Sequence, residues 1–275
     1  MHEIKPGQST ELLKELHILT RDGKMNQDSR RKLKQVNHLC QFIEPLLEEI
    51  RADRADRGAI HLVDHGAGKS YLGFILYDLF FKEHESGSHI FGIETRAELV
   101  EKSRQLAARL DFPGMTFLNV TVEQSIASEQ LPARVDIVTA LHACDTATDD
   151  AIRFALAKEA AFIVLVPCCQ AEVAAVLRKN KGRMLANPLA EIWRHPLHTR
   201  EFGSHITNVL RCLQLEAHGY QVSVTELVGW EHSMKNELII ARYKDQPRRA
   251  SAERLKELLG MLGLEDLSGR FFTQP

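Results

Sequence analysis

Glycines at 66 and 68 stand in Val63-Asp64-His65-Gly66-Ala67-Gly68-Lys69-Ser70-Tyr71. There they let a chain turn sharply at the end of a strand and approach a ligand, while the helix that follows offers free N–H groups. A carboxylate on a neighbouring strand end, Glu94 with Thr95 after it, can accept from both hydroxyls of a ribose, a bidentate contact that a neutral side chain makes less well. Asp64, two residues before the first glycine and next to His65, is placed to order the loop and attract a cationic group. His142 and Asp145 lie in Leu141-His142-Ala143-Cys144-Asp145-Thr146-Ala147-Thr148-Asp149. A histidine near pKa ~6.5 can take a proton from a hydroxyl or amine during group transfer, and Asp145 can orient it or hold a substrate. The structural alternative is that the pair fixes a turn and lines a pocket, with Asp149 starting a helix.

Three other readings compete for the glycine stretch. A P-loop would use Gly68-Lys69-Ser70 but needs a glycine five residues before Gly68, where Val63 stands. A dinucleotide fingerprint needs a small residue at position 71, which is tyrosine, and an acid ~20 residues further on. A plain strand-to-helix turn is the third. Cys40, Cys144, Cys168, Cys169 and Cys212 are irregularly spaced, which points to reduced thiols. Cys144, Cys168, Cys169 and His142 suggest a zinc site, but no C-x-x-C pair is present and vicinal cysteines ligate one ion poorly, so no metal is expected.

The elements that must position these groups follow from apolar periodicity. Short apolar runs alternate with helical patterns from Ala59 onward, the signature of a parallel sheet covered by helices. Strands are read at Ile60 to His65, His89 to Glu94, Met115 to Thr121, Val135 to Leu141, Ala161 to Pro167, Gln221 to Val228 and Glu237 to Tyr243. The last two are separated only by Gly229 to Asn236, too short for a parallel crossover, so the seventh must run antiparallel. A helix with Ile206, Val209, Leu210 and Leu213 facing inward precedes them. Before the sheet, Val36, Leu39, Cys40 and Ile43 recur on one helical face, Ser9 and Thr10 can cap a shorter helix, and Pro45 is expected to kink or restart the longer one. The chain thus divides into an N-terminal helical extension (1–58), a main domain (59–245) with a basic insertion or lid at 171–200, and a C-terminal helical tail (246–275).

With 44% hydrophobic and 26% charged residues, 16 Gly and 9 Pro in 275, the chain can bury one sizeable core. Lys plus Arg number 35 against 37 Asp plus Glu, so a net charge of −2 creates no whole-surface attraction for nucleic acid or membrane. The longest apolar stretch, Ala160 to Pro167, is far short of the ~18 residues a bilayer requires, and Met1 to Thr10 has no apolar signal core. A soluble, cytoplasmic protein with no membrane partner is expected.

The glycine stretch, the Leu141 to Asp149 segment and Val166-Pro167-Cys168-Cys169-Gln170 together resemble a family of class I methyltransferase domains found in bacterial proteins of unassigned substrate and in eukaryotic relatives, some of them tRNA methyltransferases. The resemblance runs from about Lys32 to Tyr243, through Ile206-Thr207 with Arg211 and Glu231-His232-Ser233-Met234-Lys235-Asn236. It implies an α/β, Rossmann-like fold with a seven-stranded, mostly parallel sheet, an antiparallel last strand and added N-terminal helices. It also implies S-adenosylmethionine as cofactor, with S-adenosylhomocysteine as product. The cofactor would be held by Asp64, His65, Gly66, Gly68, Glu94, Thr95, Val120, Thr121, Val122, Leu141 and His142. Cys168, Thr207, Arg211, Glu231, His232, Lys235 and Asn236 would face the substrate across the crevice at the C-terminal strand ends. One position departs from the pattern: Thr121 stands where an acid is expected after the third strand, which shifts the adenine contact to the backbone of Val120 to Val122 or to Glu123.

Two dense basic clusters, at 30–34 (Arg30-Arg31-Lys32-Leu33-Lys34) and 178–183 (Arg178-Lys179-Asn180-Lys181-Gly182-Arg183), can neutralise phosphates of an RNA substrate, or form solvated surface. Three functions stay open at this point: an S-adenosylmethionine-dependent methyltransferase acting on RNA, a binding module on the same fold, and a small-molecule methyltransferase.

Overall fold

Every residue of Phe162-Ile163-Val164-Leu165-Val166 is buried, as expected of a strand covered on both faces. Phe162, Val164 and Val166 enter an apolar cluster with the N-terminal helices, whereas Ile163 and Leu165 enter a second cluster on the opposite face. The sheet is thus the middle of three layers. The structure is a computed structural model that describes residues 4–5, 7–53, 58–83, 87–141, 143, 145–167, 170–180, 188–227 and 237–272.

The strands are β1 (His61–His65), β2 (His89–Ile93), β3 (Met115–Leu118), β4 (Ile137–Leu141), β5 (Phe162–Val166), β6 (Tyr220–Glu226) and β7 (Glu237–Tyr243). They form one seven-stranded sheet in the order β3-β2-β1-β4-β5-β7-β6. β1 to β5 pair in parallel, and β7 lies antiparallel between β5 and β6. The α/β fold expected from the sequence is the one observed, including the reversed last strand. The registers His65 with Ile93, Asp64 with Thr139 and Leu141 with Val166 bring the C-terminal ends of β1, β2, β4 and β5 to one edge.

The helices are α1 (Thr10–Glu15), α2 (Gln27–Asp53), α3 (Tyr71–Leu76, running into a π-helical turn at Tyr77–Phe81), α4 (Ala97–Arg109), α5 (Val122–Ala127), α6 (Thr146–Ala157), α7 (Glu172–Lys179), α8 (Pro196–Ala217) and α9 (Arg249–Met261). The first four cover one sheet face, and α5 and α6 the other. Ser9 caps α1 by accepting from the Leu12 N–H at 3.1 Å. Val36, Leu39, Cys40 and Ile43 are all buried. Pro45 does not restart the helix: α2 continues through it, because Leu46, Leu47 and Ile50 prolong the same buried stripe.

The apolar face expected of α8 packs inward: Ile206 and Leu210 are buried, and Val209 and Leu213 pack partly buried against the same cluster. A second buried stripe, Gly203, Thr207, Arg211 and Gln214, carries polar residues that apolar spacing does not reveal. Polar residues point inward because they meet polar strand-end loops. The 171–200 stretch holds α7 and a 3₁₀ turn at Pro188–Trp193, and Val173, Leu177 and Trp193 join α8 and α9 in a third apolar cluster. Trp193 is 1% exposed and stacks on Phe202 at 5.3 Å, so this part of the stretch is core. Among the described residues, no helix is long and apolar enough to cross a membrane.

Gly92 sets the spacing between β2 and β3 beneath the site. A Cβ there would lie 2.5 and 2.8 Å from two ring carbons of Phe117, a ring stacked on Phe74 at 5.4 Å. Gly92→Ala is expected to destabilise the protein by about 1–3 kcal/mol through overpacking, measured as a lower urea midpoint; an unchanged midpoint would mean that the Phe117 ring yields freely.

Candidate active site

The glycine loop turns where β1 ends. Gly66 and Gly68 adopt φ of 68° and 59°, and Ser70 follows at 49°, the left-handed region that side chains beyond glycine seldom occupy. A Cβ on Gly66 would sit 3.3 Å from the Cβ of Ala143, so the loop packs against the segment after β4. Asp64 holds it from below: its Oδ2 accepts from the Ser70 hydroxyl at 3.3 Å and its Oδ1 from the Thr139 hydroxyl at 3.0 Å. Burial pushes the Asp64 carboxyl up to about 6, although both hydroxyl bonds oppose the rise.

Glu94 closes the other side. Its Oε2 accepts from the Gly68 N–H at 2.9 Å, which joins the end of β2 to the glycine loop. Arg96 donates to the same carboxylate through its backbone N–H at 3.0 Å, its Nε at 3.1 Å and its NH2 nitrogen at 3.0 Å. Burial alone would raise this carboxyl, but the Arg96 bonds and charge and the Gly68 N–H outweigh it and hold the group near 2. The Arg96 side chain is 60% exposed and that of Glu94 only 8%; the guanidinium thus lies on the solvent side of the acid. The Thr95 hydroxyl reaches the same carboxylate at 3.4 Å.

His65 is 6% exposed and both its ring nitrogens lack a hydrogen-bond partner. The ring lies 5.6 Å from that of Phe154, and burial pushes it down to about 4, so it is neutral at physiological pH. Thr121 acts locally. With Gln124 it forms the capping box of α5, its hydroxyl accepting from the Gln124 N–H at 3.3 Å. Glu123 lies on the surface paired with Arg153, which holds its carboxyl near 2. Val120 and Val122 flank Thr121 at the edge beyond β3.

A buried polar network joins the loops after β4 and β5. The Arg211 guanidinium, fully buried, donates to both Asp149 oxygens at 2.7 and 2.9 Å, to the Asp145 carbonyl at 2.9 Å and to Asn208 Oδ1 at 3.1 Å. Asn208 also accepts from Gln170 at 3.2 Å and donates to Glu237 at the start of β7 at 2.8 Å. Asp145 Oδ1 accepts from the backbone N–H groups of Ala171 and Glu172 at 3.0 and 3.2 Å. Its backbone is strained, with φ 50° and ψ −120°, and these contacts on two sides retain it.

The network changes the reading of several residues. Arg211 was expected to face a substrate, but its donors are spent inside the fold, and the Thr207 hydroxyl donates to the Gly203 carbonyl at 2.6 Å. Asp149 is more than a helix-start residue, since it neutralises Arg211. The structure thus brings Asp64, His65, Gly66, Gly68, Glu94 and Thr95 together at one strand edge, with Leu141 at the end of β4 and Asp145 just before α6. His142, Cys144, Cys168, Cys169, Glu231, His232, Lys235 and Asn236 lie outside the described residues. The roles of Ser70, Thr139, Arg96, Gln170 and Asn208 were missed by sequence reasoning. Ser70 and Gln170 had a signal, since they lie inside the motifs, and Arg96 stands two residues after Glu94. Burial pushes the Cys40 and Cys212 thiols up to about 12, which leaves neither as a thiolate at neutral pH.

No curated protein sequence matches this chain. Among solved structures, it is similar to magnesium protoporphyrin IX methyltransferase from Synechocystis PCC 6803, solved with bound SAH (16% identity, 86% of this chain and 96% of that one, TM-score 0.45). It is also similar to a putative caffeoyl-CoA O-methyltransferase from Staphylococcus aureus (9%, 86% and 93%, 0.45) and to an rRNA methylase from Streptococcus thermophilus (8%, 67% and 87%, 0.40). At these identities and scores the likenesses carry no argument about activity. The family model for a methyltransferase domain matches residues 31–176, more than half of the chain. That span includes the glycine loop, Glu94 with its bond to Gly68, and the strained Asp145 turn, and by that match the protein belongs to this methyltransferase-domain family.

Proposed function

We propose that the protein is an S-adenosylmethionine-dependent methyltransferase with RNA as its substrate class. The observation that carries the cofactor assignment is the bond from the Gly68 N–H to Glu94 Oε2. It sets a buried, ionised carboxylate beside a turn in which backbone can approach a ligand, the donor and acceptor set a ribose requires. The residues present fit the nucleoside and its amino-acid tail: Glu94 for the ribose hydroxyls once Arg96 swings outward, Gly66 and Gly68 for close backbone approach, Asp64 for the cationic end, and the unpartnered His65 ring beside them. The bound cofactor supplies a methyl group on a positively charged sulfur. The protein's own work is to align the acceptor and remove its proton. His142 is the proposed proton acceptor. The Asp145 turn, three residues further along the chain, is tied on one side to Arg211 and on the other to the start of α7.

Calorimetric titration with S-adenosylmethionine and S-adenosylhomocysteine tests the pocket. Glu94→Ala is expected to weaken binding by about 1.5–3 kcal/mol, on the order of ten- to a hundredfold; equal affinity in the variant would remove Glu94 from the ribose role. A second reading, a binding module on the same fold, is favoured by two observations: Arg96 covers Glu94, and Thr121 caps a helix where an acid was expected. Turnover separates them, because an enzyme releases S-adenosylhomocysteine when supplied with cellular RNA and a scaffold binds without product.

A further inference from the structure

A cleft of about 290 Å³ lies beside the glycine loop, between the end of α1, the start of α3 and the outer face of α4. Its wall on α4 is one helical stripe, Leu99, Lys102, Leu106 and Arg109, and Lys69 from the glycine loop and His17 from the α1–α2 connection face the same space. Leu99 and Leu106 form an apolar floor; the polar ends form the rim. The charge balance is one-sided. Glu15 is the lining carboxylate, and it already accepts from Arg109 at 2.6 Å. Lys69 and Lys102 have no carboxylate partner among the described residues, although many surface cations elsewhere are paired, such as Arg153 with Glu123 and Arg270 with Glu172. The Ser29 hydroxyl donates to the His17 carbonyl at 3.1 Å, so the basic run at 30–34 begins where this cleft ends.

We propose that this cleft is a phosphodiester-binding track that seats the backbone of a single-stranded RNA beside the transfer site. The inference rests on the RNA reading above and deepens it. Lys69 and Lys102 enter the cleft from different elements, the glycine loop and α4, and so offer separate contacts to successive phosphates of one backbone. Lysines suit backbone contact because a flexible ammonium tolerates any base sequence.

The test uses the full-length protein and the fluorescence anisotropy of a labelled single-stranded RNA of mixed sequence, titrated over a range of salt. Lys102→Gln is expected to lower the slope of log affinity against log salt by about 0.7, and Lys69→Gln with Lys102→Gln by roughly twice that. Lys102→Arg should retain the slope. Calorimetric binding of S-adenosylmethionine by each variant shows that the fold and the cofactor pocket persist. RNA affinity and slope unchanged in the double variant would overturn the cleft assignment and leave RNA as the substrate class. Failure of the wild-type protein to bind RNA while it binds S-adenosylmethionine would overturn both. Competition by inorganic phosphate or a mononucleotide as strong as that by RNA would overturn the strand track in favour of a small phosphorylated ligand.

Discussion

Replacing Arg211 with methionine is expected to destabilise the protein by about 3–5 kcal/mol, seen as a lower urea midpoint with an unchanged slope. The cause is the carboxylate left behind. Asp149 is 6% exposed and receives two Arg211 bonds; without the guanidinium it is a buried charge with no counter-ion. The Asp145 carbonyl and Asn208 each lose a donor as well. Arg211→Met combined with Asp149→Leu is expected to regain a large part of the loss, since apolar groups can replace a buried ion pair at little net cost. Arg211→Lys keeps the charge but not the fork, and should fall between wild type and Arg211→Met. A double variant no more stable than the single one would show that the lost stability lies in helix packing and not in the ion pair.

Asp64→Asn and His65→Phe are expected to tilt the pH dependence of stability in opposite directions. In the folded protein His65 stays neutral down to about 4, whereas the unfolded chain protonates its histidine near 6.5. As pH falls through that interval the unfolded state binds more protons, and stability drops by roughly 3 kcal/mol. Asp64 acts the other way. Folded, it keeps its proton up to about 6, and unfolded it releases the proton near 3.8. Its contribution is therefore full at low pH and lost as pH rises through that interval, again by roughly 3 kcal/mol. In wild type the two slopes oppose each other and the profile between them is nearly flat. The Asp64→Asn variant should gain stability as pH rises, and the His65→Phe variant should lose it. Urea unfolding curves at steps across this interval read the slopes directly; three parallel profiles would refute the assignment.

The sheet was legible because its central strands, β4 and β5, are apolar on both faces. Phe162 to Val166 can be read as a buried strand from composition alone, and the short segment between β6 and β7 decides the reversed direction of the last one. The pairing of glycine loop and second-strand acid was legible for a similar reason: Gly66, Gly68 and Glu94 fall at strand ends fixed by those runs. What stayed hidden were buried polar contacts between distant segments. Arg211 meets Asp149 across 62 positions and Asp64 meets Thr139 across 75, and no periodicity announces such partners. Apolar spacing likewise found the α8 face that carries Ile206 and Leu210 but not the second buried face, which carries Thr207, Arg211 and Gln214. Arg96 illustrates a third kind of gap. Its position next to Glu94 is plain in the sequence, but its attachment to that carboxylate depends on a rotamer.

The place of β7 in the sheet bears on how the chain is made. A ribosome delivers β6 before β7, yet β6 bonds only to β7, and β7 is the strand that bonds to β5. A nascent chain that has emerged as far as Glu226 therefore carries a strand with no place to dock and a β5 edge still bare. Both wait for Tyr243 to clear the exit tunnel, and the late insertion of one segment then closes two ladders together. Such non-local pairing is slow and exposes strand edges in the interval, so the time between the emergence of β6 and that of β7 is one in which a growing chain is open to edge-to-edge association.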